Sequence, residues 1–281
     1  MTPLLEVEDL RITFPTPTGP FQAVRGVSFA LGRERLGIVG ESGSGKSLTG
    51  RAILRLLPPS ARLEAKRLAF AGTDLLTASP RALRGIRGAR ISLVLQDPKY
   101  SLNPVMTVGA QIAEAARIHG RLSAREARER ALAMLEAVRI RDPARVFGLY
   151  PHEVSGGMGQ RIMIAMMLVP EPDLLIADEP TSALDVTVQM QVLAILDDLV
   201  ARRGMGLIFI SHDLDLVASF CDRVLVMYAG RVVEERAARD LAGATHPYTQ
   251  GLLRSLPRLD DDRAELPVLS RDPAWREGPA P

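Results

Sequence analysis

The sequence predicts an α/β fold with a parallel sheet at its core, and its apolar runs carry that prediction. Residues 36–39, 174–177 and 208–210 are continuous in apolar residues or glycine, as is typical of strands buried on both faces. Residues 102–169, which lie between them, have mainly helical spacing, with helices predicted over 108–118 and 124–138. Strands on both sides of a helical insertion indicate the α/β class.

The composition is that of a soluble globular protein. With 281 residues, 47% hydrophobic and 24% charged, the chain can bury a core and is unlike a disordered or fibrous one. No run approaches the roughly 18–20 apolar residues of a membrane helix, and the acidic first ten residues predict no signal peptide. Both charge signs are interspersed around a net charge of +2, which argues against nucleic-acid binding. The single cysteine, Cys221, excludes internal disulfides and favours a reducing compartment.

A phosphate-binding loop is predicted directly after the first buried strand. Residues 40–47 (GESGSGKS) match G-x-x-x-x-G-K-[ST], and a helix is predicted after them over residues 48–57, ending at Pro58. Glycines let successive backbone N–H groups face phosphate oxygens, while Lys46 neutralises the β- and γ-phosphates and the Ser47 hydroxyl ligates Mg²⁺. The predicted nucleotide-binding residues here are Gly40, Glu41, Ser42, Gly43, Ser44, Gly45, Lys46, Ser47 and Leu48.

An acidic pair follows the second buried strand. Asp178 and Glu179 come directly after residues 174–177, so both carboxylates are expected at a strand end. Asp178 is the candidate for holding Mg²⁺, and Glu179 is the candidate general base for an attacking water. Without the phosphate loop, a solvated strand end would be the better interpretation.

A second anion-binding helix start is predicted at Ser155, Gly156 and Gly157, just before an apolar helix over residues 160–169. Free N–H groups, a hydroxyl and the helix dipole all favour an anion there. Spacing alone fits a plain N-cap and turn equally well.

Taken in order, these motifs resemble the ATP-binding subunits of ABC transporters. The phosphate loop, Gln96, residues 154–160 (VSGGMGQ), the acidic pair, residues 182–185 (SALD) and His212 follow one another as in that family, from about residue 4 to about residue 235. The resemblance implies a P-loop NTPase of ABC type. Its parts are a RecA-like parallel-sheet core, an antiparallel β subdomain and an α-helical subdomain that carries the signature.

The resemblance also implies roles for single residues. Phe14 corresponds to the aromatic residue that stacks on adenine, although a buried strand position explains it as well. Gln96 touches Mg²⁺ or the lytic water, and His212 contacts the γ-phosphate. Asp185 lies where two subunits meet, and Ser155 with its glycines binds ATP held by the opposite subunit. The implied magnesium ligands are Ser47, Gln96 and, through water, Asp178; the implied catalytic residues are Glu179, His212, Gln96 and Lys46.

Within the family, residues 96–104, Met158 and residues 246–249 (HPYT) resemble the importer ATPases for peptides and nickel. The implied partners are membrane permease subunits, a second ATP-binding subunit of the same or a related chain and, indirectly, an extracytoplasmic solute-binding protein, at the cytoplasmic face of the inner membrane. Two departures are Gly159, where the group usually has arginine, and the lack of cysteines for the iron–sulfur cluster of longer members.

Three segments are expected from this resemblance. Residues 1–97 and 170–236 form the ATP-binding core with its β subdomain, residues 98–169 the helical subdomain, and residues 237–281 a C-terminal tail. DNA-repair ABC ATPases share the motifs, but they carry long heptad repeats or a zinc hook that are lacking here. Kinases and GTPases of the P-loop class lack the Ser-Gly-Gly signature.

Overall fold

The computed structural model describes residues 3–98, 101–120, 122–182, 184–255, 272 and 275. The strands are β1 (Leu5–Thr16), β2 (Gly19–Leu31), β3 (Arg35–Val39), β4 (Arg62–Glu64), β5 (Arg67–Phe70), β6 (Thr73–Asp74), β7 (Ile91–Val94), β8 (Leu174–Asp178), β9 (Gly206–Ser211), β10 (Arg223–Tyr228) and β11 (Arg231–Ala237). The α-helices are α1 (Lys46–Ile53), α2 (Pro80–Ile86), α3 (Val108–Gly120), α4 (Ala124–Ala137), α5 (Pro143–Phe147), α6 (Gly156–Leu168), α7 (Val186–Arg203), α8 (Leu214–Phe220) and α9 (Pro247–Arg254).

The chain divides into two compact units. The first unit comprises Met1–Ala78 and Ile208–Pro281, and the second comprises Ser79–Leu207. The finer division into a core, a helical subdomain at 98–169 and a tail from 237 stays a prediction. Of that tail, the structure describes a 3-10 helix (Ala238–Gly243) and α9, and residues 256–271 lie outside the described part.

An antiparallel sheet forms one layer of the first unit. Its strand order is β2-β1-β5-β6, with β4 also paired to β1. The β1–β2 hairpin pairs Leu5 with Leu31 at one end and Thr16 with Gly19 at the other. Leu5, Leu10 and Leu31 are fully buried, so the apolar face of this sheet contributes to the core. The antiparallel β subdomain expected from the sequence is therefore present.

The first unit also contains the strand that precedes the phosphate loop. Here β3 lies between β10 and β9, and β11 forms the edge beside β10. β3 and β10 are parallel, from Leu36 opposite Arg223 to Val39 opposite Val226. Every residue of β3 except Arg35 is buried, as its continuous apolar pattern predicts. The chain thus leaves β3 at a carboxyl strand end and enters the loop that opens α1.

The helix after this loop is shorter than predicted. α1 ends at Ile53 rather than near residue 57. The N–H of Leu56 donates to the carbonyl of Arg51 at 2.9 Å, and the N–H of Arg55 donates to that of Ala52 at 2.8 Å. Arg55 has the left-handed φ of 51°. This is the Schellman arrangement, which closes the helix before the prolines are reached.

The second unit combines a pair of parallel strands with packed helices. Ile91 of β7 pairs with Leu174 of β8, in parallel. Helices α3, α4 and α6 pack on one another. They correspond to the three helices predicted within residues 102–169, with bounds shifted by up to four residues. A Cβ at Gly109 of α3 would lie 2.1 Å from the ring of Phe147 of α5, so the close approach of these two helices requires glycine at this position.

Cys221 is buried at the end of α8, with 8% exposure. Burial raises the pKa of its thiol to about 12 from an ordinary 9.0, which leaves about 1,000-fold less thiolate than in an exposed cysteine. We expect the folded protein to react with iodoacetamide at pH 8 at least 100-fold more slowly than the urea-unfolded chain, as followed by mass spectrometry. Equal rates in the two states would contradict the burial.

Candidate active site

The backbone of the phosphate loop requires its glycines. Gly40, Gly43 and Gly45 have φ values of 149°, 81° and 100°, a region that side chains rarely adopt. A Cβ at Gly40 would lie 2.1 Å from the carbonyl oxygen of Met227, and one at Gly45 would lie 2.9 Å from that of Ala23. The turn is therefore both left-handed and tightly enclosed, as a loop that presents N–H groups to an anion must be.

Lys46 is the first residue of α1 and is only 4% exposed. Its Nζ donates to the carbonyl oxygens of Gly40 at 2.7 Å and Glu41 at 2.9 Å. The ammonium group therefore lies over the loop, at a helix N-terminus where anions are favoured. Ser47 and Leu48 follow in the first turn of α1, both half-buried.

An open cavity of about 910 Å³ borders the loop within the first unit. Loop residues 41–44 line it together with Phe21, Arg25 and Tyr228. Phe14, the predicted adenine-stacking residue, is half-buried and pairs across the hairpin with Phe21, which is 60% exposed. Its role stays a prediction, and Phe21 is a second aromatic candidate that motif matching did not single out.

His212 also lies in the first unit, directly after β9. It is exposed, while its neighbours are held in place: Ser211 Oγ accepts the N–H of Asp213 at 3.0 Å, and Asp213 caps α8 by accepting the N–H of Leu216 at 2.9 Å. These hydrogen bonds hold the backbone on the C-terminal side of His212 in place. Its contact with a phosphate stays a prediction.

The second unit brings two predicted catalytic side chains together. β8 ends at Asp178, a residue that is 4% exposed, and Glu179 follows with a left-handed φ of 49°. Gln96 Nε2 donates to Glu179 Oε2 at 3.3 Å. The amide therefore holds one oxygen of the carboxylate, although 83 residues separate the two side chains in sequence.

The turn after Glu179 is fixed by the signature helix. Gln160, 2% exposed in α6, donates from Nε2 to the carbonyl oxygen of Pro180 at 2.5 Å. Ser182 Oγ donates to the Glu179 carbonyl at 3.2 Å. Gln160 belongs to the predicted signature, but no sequence pattern indicates this contact with Pro180.

At the signature, the helix-cap interpretation is correct. Ser155 Oγ accepts the N–H of Met158 at 3.4 Å and caps α6. A Cβ at Gly157 would lie 2.7 Å from Val188, whereas the space beside Gly156 is open. Near Gly159 a Cβ would meet only Pro98, at 3.7 Å. Anion binding at this helix start is compatible with the cap but stays a prediction.

Asp185 caps the next helix. Its carboxylate accepts the N–H of Val188 at 3.0 Å at the start of α7. Ala183, from the predicted motif at 182–185, lies outside the described residues. The cap explains why a residue with a short hydrogen-bonding side chain occupies position 185. Its position between two subunits stays a prediction.

A glycine loop between a buried parallel strand and a helix, with a buried aspartate and an adjacent glutamate after another such strand, defines a P-loop nucleoside triphosphatase. Comparison with known proteins narrows this class. Residues 24–182, more than half of the chain, match the ABC transporter family.

Two relatives illustrate the likeness in sequence. A probable peptide ABC transporter ATP-binding protein of Sinorhizobium fredii is 54% identical over 257 residues, which is 90% of this chain and 77% of that protein. The dipeptide transport ATP-binding protein DppD of Bacillus subtilis is 48% identical over 284 residues, 100% of this chain and 85% of that protein. An ATP-binding cassette solved as a dimer with ADP and Pi, in a post-hydrolysis state, matches with a TM-score of 0.75 and 26% identity, over 84% of this chain and 99% of that one.

The chain therefore belongs to the ATP-binding proteins of ABC transporters, in the group that includes the peptide importers. It binds ATP and is an ATPase whose activity serves transport. The fold expected from the sequence, an ABC-type nucleotide-binding domain, is confirmed.

Proposed function

We propose that this chain is the ATP-hydrolysing subunit of an importer that takes up peptides through separate membrane permease subunits. The observation that carries the proposal is its 54% and 48% identity, over 90% and 100% of its length, to proteins named for peptide or dipeptide transport. Nickel and metal chelates are the other solutes that the sequence resemblance implies. They are tested beside peptides below.

In the proposed mechanism the first unit binds the triphosphate. Loop N–H groups and the N-terminus of α1 receive phosphate oxygens, and Lys46 exchanges its two carbonyl acceptors for the β- and γ-phosphates. Such an exchange favours binding, because a phosphate is a stronger acceptor for an ammonium group than a neutral carbonyl. Phe14 would stack on adenine, and His212 would contact the γ-phosphate.

The residues proposed to hold Mg²⁺ are Ser47, Gln96 and, through water, Asp178. A hydroxyl, an amide oxygen and a carboxylate are hard oxygen donors, which fit this ion. When bound, Mg²⁺ neutralises charge on the β- and γ-phosphates. Asp178 suits the role because it is an acidic residue at the end of β8, directly before Glu179, and is only 4% exposed.

Glu179 is proposed to orient the attacking water and to accept its proton. Gln96 restrains its carboxylate through the hydrogen bond to Oε2 at 3.3 Å. The other oxygen, Oε1, is the one proposed to face the water. In phosphoryl transfer this positioning contributes more than basicity.

One chain carries a single phosphate loop and a single Ser155 signature. We therefore propose that it works as a dimer, with the same or a related chain, in which Ser155, Gly156, Gly157 and Asp185 act on ATP held by the opposite subunit.

In the described part of the chain, no helix is long and apolar enough to span a membrane. We propose a peripheral position at the cytoplasmic face of the inner membrane, on permease subunits that receive solute from an extracytoplasmic binding protein.

The proposal is tested by purifying the chain with the permease subunits and the solute-binding protein and reconstituting them in vesicles. We expect ATP-dependent uptake of labelled di- and oligopeptides, and we expect it to stop when Glu179 is replaced by glutamine. Uptake of Ni²⁺ or a nickel chelate without peptide uptake would overturn the peptide assignment. Normal ATP hydrolysis without uptake of any of them would contradict import itself.

A further inference from the structure

The segment around residues 245–254 contacts the phosphate loop from the other end of the chain. Tyr248, in the first turn of α9, is fully buried. Its hydroxyl accepts the N–H of Glu41 at 3.1 Å, across 207 residues of sequence. Glu41 is the second residue of the loop that carries Lys46. The HPYT motif noted in the sequence therefore has a physical contact with the nucleotide-binding loop.

The Glu41 residue links this contact to the catalytic lysine. Its carbonyl oxygen accepts Lys46 Nζ at 2.9 Å and the N–H of Ser44 at 3.1 Å. Its N–H is directed to Tyr248. The N–H of Glu41 is thus held by Tyr248 of α9, and its carbonyl oxygen is held by Ser44 and Lys46 of the loop. A shift of this residue would move an acceptor of Lys46.

The segment that carries Tyr248 is itself firmly attached to the first unit. Glu234 of β11 is 6% exposed and accepts the backbone N–H groups of Thr245 at 2.7 Å and His246 at 3.2 Å, and Arg236 Nε at 2.6 Å. His246 Nδ1 in turn accepts the N–H of Tyr248 at 3.2 Å. These hydrogen bonds attach the start of α9, and with it Tyr248, to β11.

The charge of Glu234 maintains this attachment at neutral pH. Burial on its own would raise the pKa of Glu234, but the hydrogen bonds from Arg236, Thr245 and His246 outweigh it and lower the pKa from 4.5 to about 2. A carboxyl with a lowered pKa contributes its full stabilisation above pH 4.5, and this is lost as the pH falls towards 2. At neutral pH Glu234 is therefore ionised and keeps its hydrogen bonds to Thr245 and His246.

Aromatic packing fixes the direction of the tyrosine ring. The ring of Tyr228 lies 4.5 Å from that of Tyr248, and Trp275 lies 6.3 Å from it. Tyr228 is 5% exposed and borders the cavity beside the loop. Ring contacts of this kind leave the hydroxyl little freedom other than to face Glu41.

We propose that Tyr248 is a positioning residue for ATP binding, which holds the phosphate loop in its nucleotide-accepting conformation through the N–H of Glu41. The inference depends on the proposed role of Lys46 but concerns a different residue and a different step. Because the hydroxyl contacts the loop backbone and none of the groups proposed to act in the chemical step, we expect its loss to weaken the ground state and the transition state equally. It should therefore change the affinity for ATP and spare the chemical step.

The test is Tyr248→Phe, which keeps the ring and removes the accepting oxygen. A neutral hydrogen bond typically corresponds to about a fivefold change in an equilibrium constant. We expect the Kd and KM for ATP to rise about 3- to 10-fold and kcat at saturating ATP to change less than about twofold. Amide hydrogen exchange of peptides that cover residues 40–47, measured without nucleotide, should become about 3- to 10-fold faster.

Tyr150→Phe is the matched control, because Tyr150 is 39% exposed and belongs to the second unit. It should leave both measurements unchanged. A kcat that falls while KM stays constant, or equal loop exchange in Tyr248→Phe and the parent, would overturn the inference. Since exchange is measured without ATP, it tests the contact with Glu41 even if Lys46 proves to have another role.

Discussion

Replacement of Glu179 by glutamine is expected to lower ATP hydrolysis at least about 100-fold while ATP binding persists, because general bases typically contribute 10²–10⁴-fold. The amide has the same shape and can still contact Gln96, so the turn after β8 is preserved. It can neither take a proton from the attacking water nor offer both of the acceptor oxygens by which the carboxylate is proposed to orient that water. Two chains should therefore close on ATP and stay closed, which size-exclusion chromatography with ATP and a phosphate-release assay would show.

Glu136→Gln is the matched control for this variant. Glu136 is exposed on α4, in the same unit, and the same charge is removed without any role in the proposed chemistry. Its hydrolysis rate should equal that of the parent chain. A Glu179→Gln protein that hydrolyses ATP at the parent rate would refute the assignment of Glu179 as the base.

Removal of the Lys46 ammonium group is expected to have the second large effect. In Lys46→Ala the loop loses the cation that lies over the Gly40 and Glu41 carbonyls. Charge-assisted bonds to phosphate are among the strongest in proteins, so we expect the affinity for ATP to fall at least about tenfold and turnover to become undetectable. Calorimetry with ATP and a phosphate-release assay measure the two effects.

Lys66→Ala provides the comparison. The side chain of Lys66 is 68% exposed and forms a 3.9 Å ion pair with Asp9 at the surface, a kind of contact that contributes little. Both ATP affinity and turnover should be retained. If Lys46→Ala retained them as well, the loop would not be the phosphate site.

The sequence was most informative where one short segment determines both conformation and chemistry. The strand before Gly40, the glycine turn and the start of a helix at Lys46 are local features, and continuous apolar runs indicate buried parallel strands. The cap at Ser155 is local as well. Such features need only neighbouring residues, so they could be predicted from the sequence.

Contacts between distant residues could not be predicted in this way. Nothing in the sequence near Glu41 indicates that its N–H meets Tyr248, or that Gln160 holds the carbonyl of Pro180. The early end of α1 is a different case. Prolines signal where a helix must stop, but Arg55 adopts the left-handed conformation that glycine usually provides, and arginine carries no such signal.

The burial of Cys221 makes the natural chain suitable for site-specific labelling. Cys221 is the only cysteine in the sequence and is 8% exposed, so we expect a maleimide dye not to react with it in the folded protein. A cysteine placed at Ile118, 68% exposed on α3, would then carry the dye alone. Energy transfer between two such chains could follow their approach and separation during turnover, without first building a cysteine-free background.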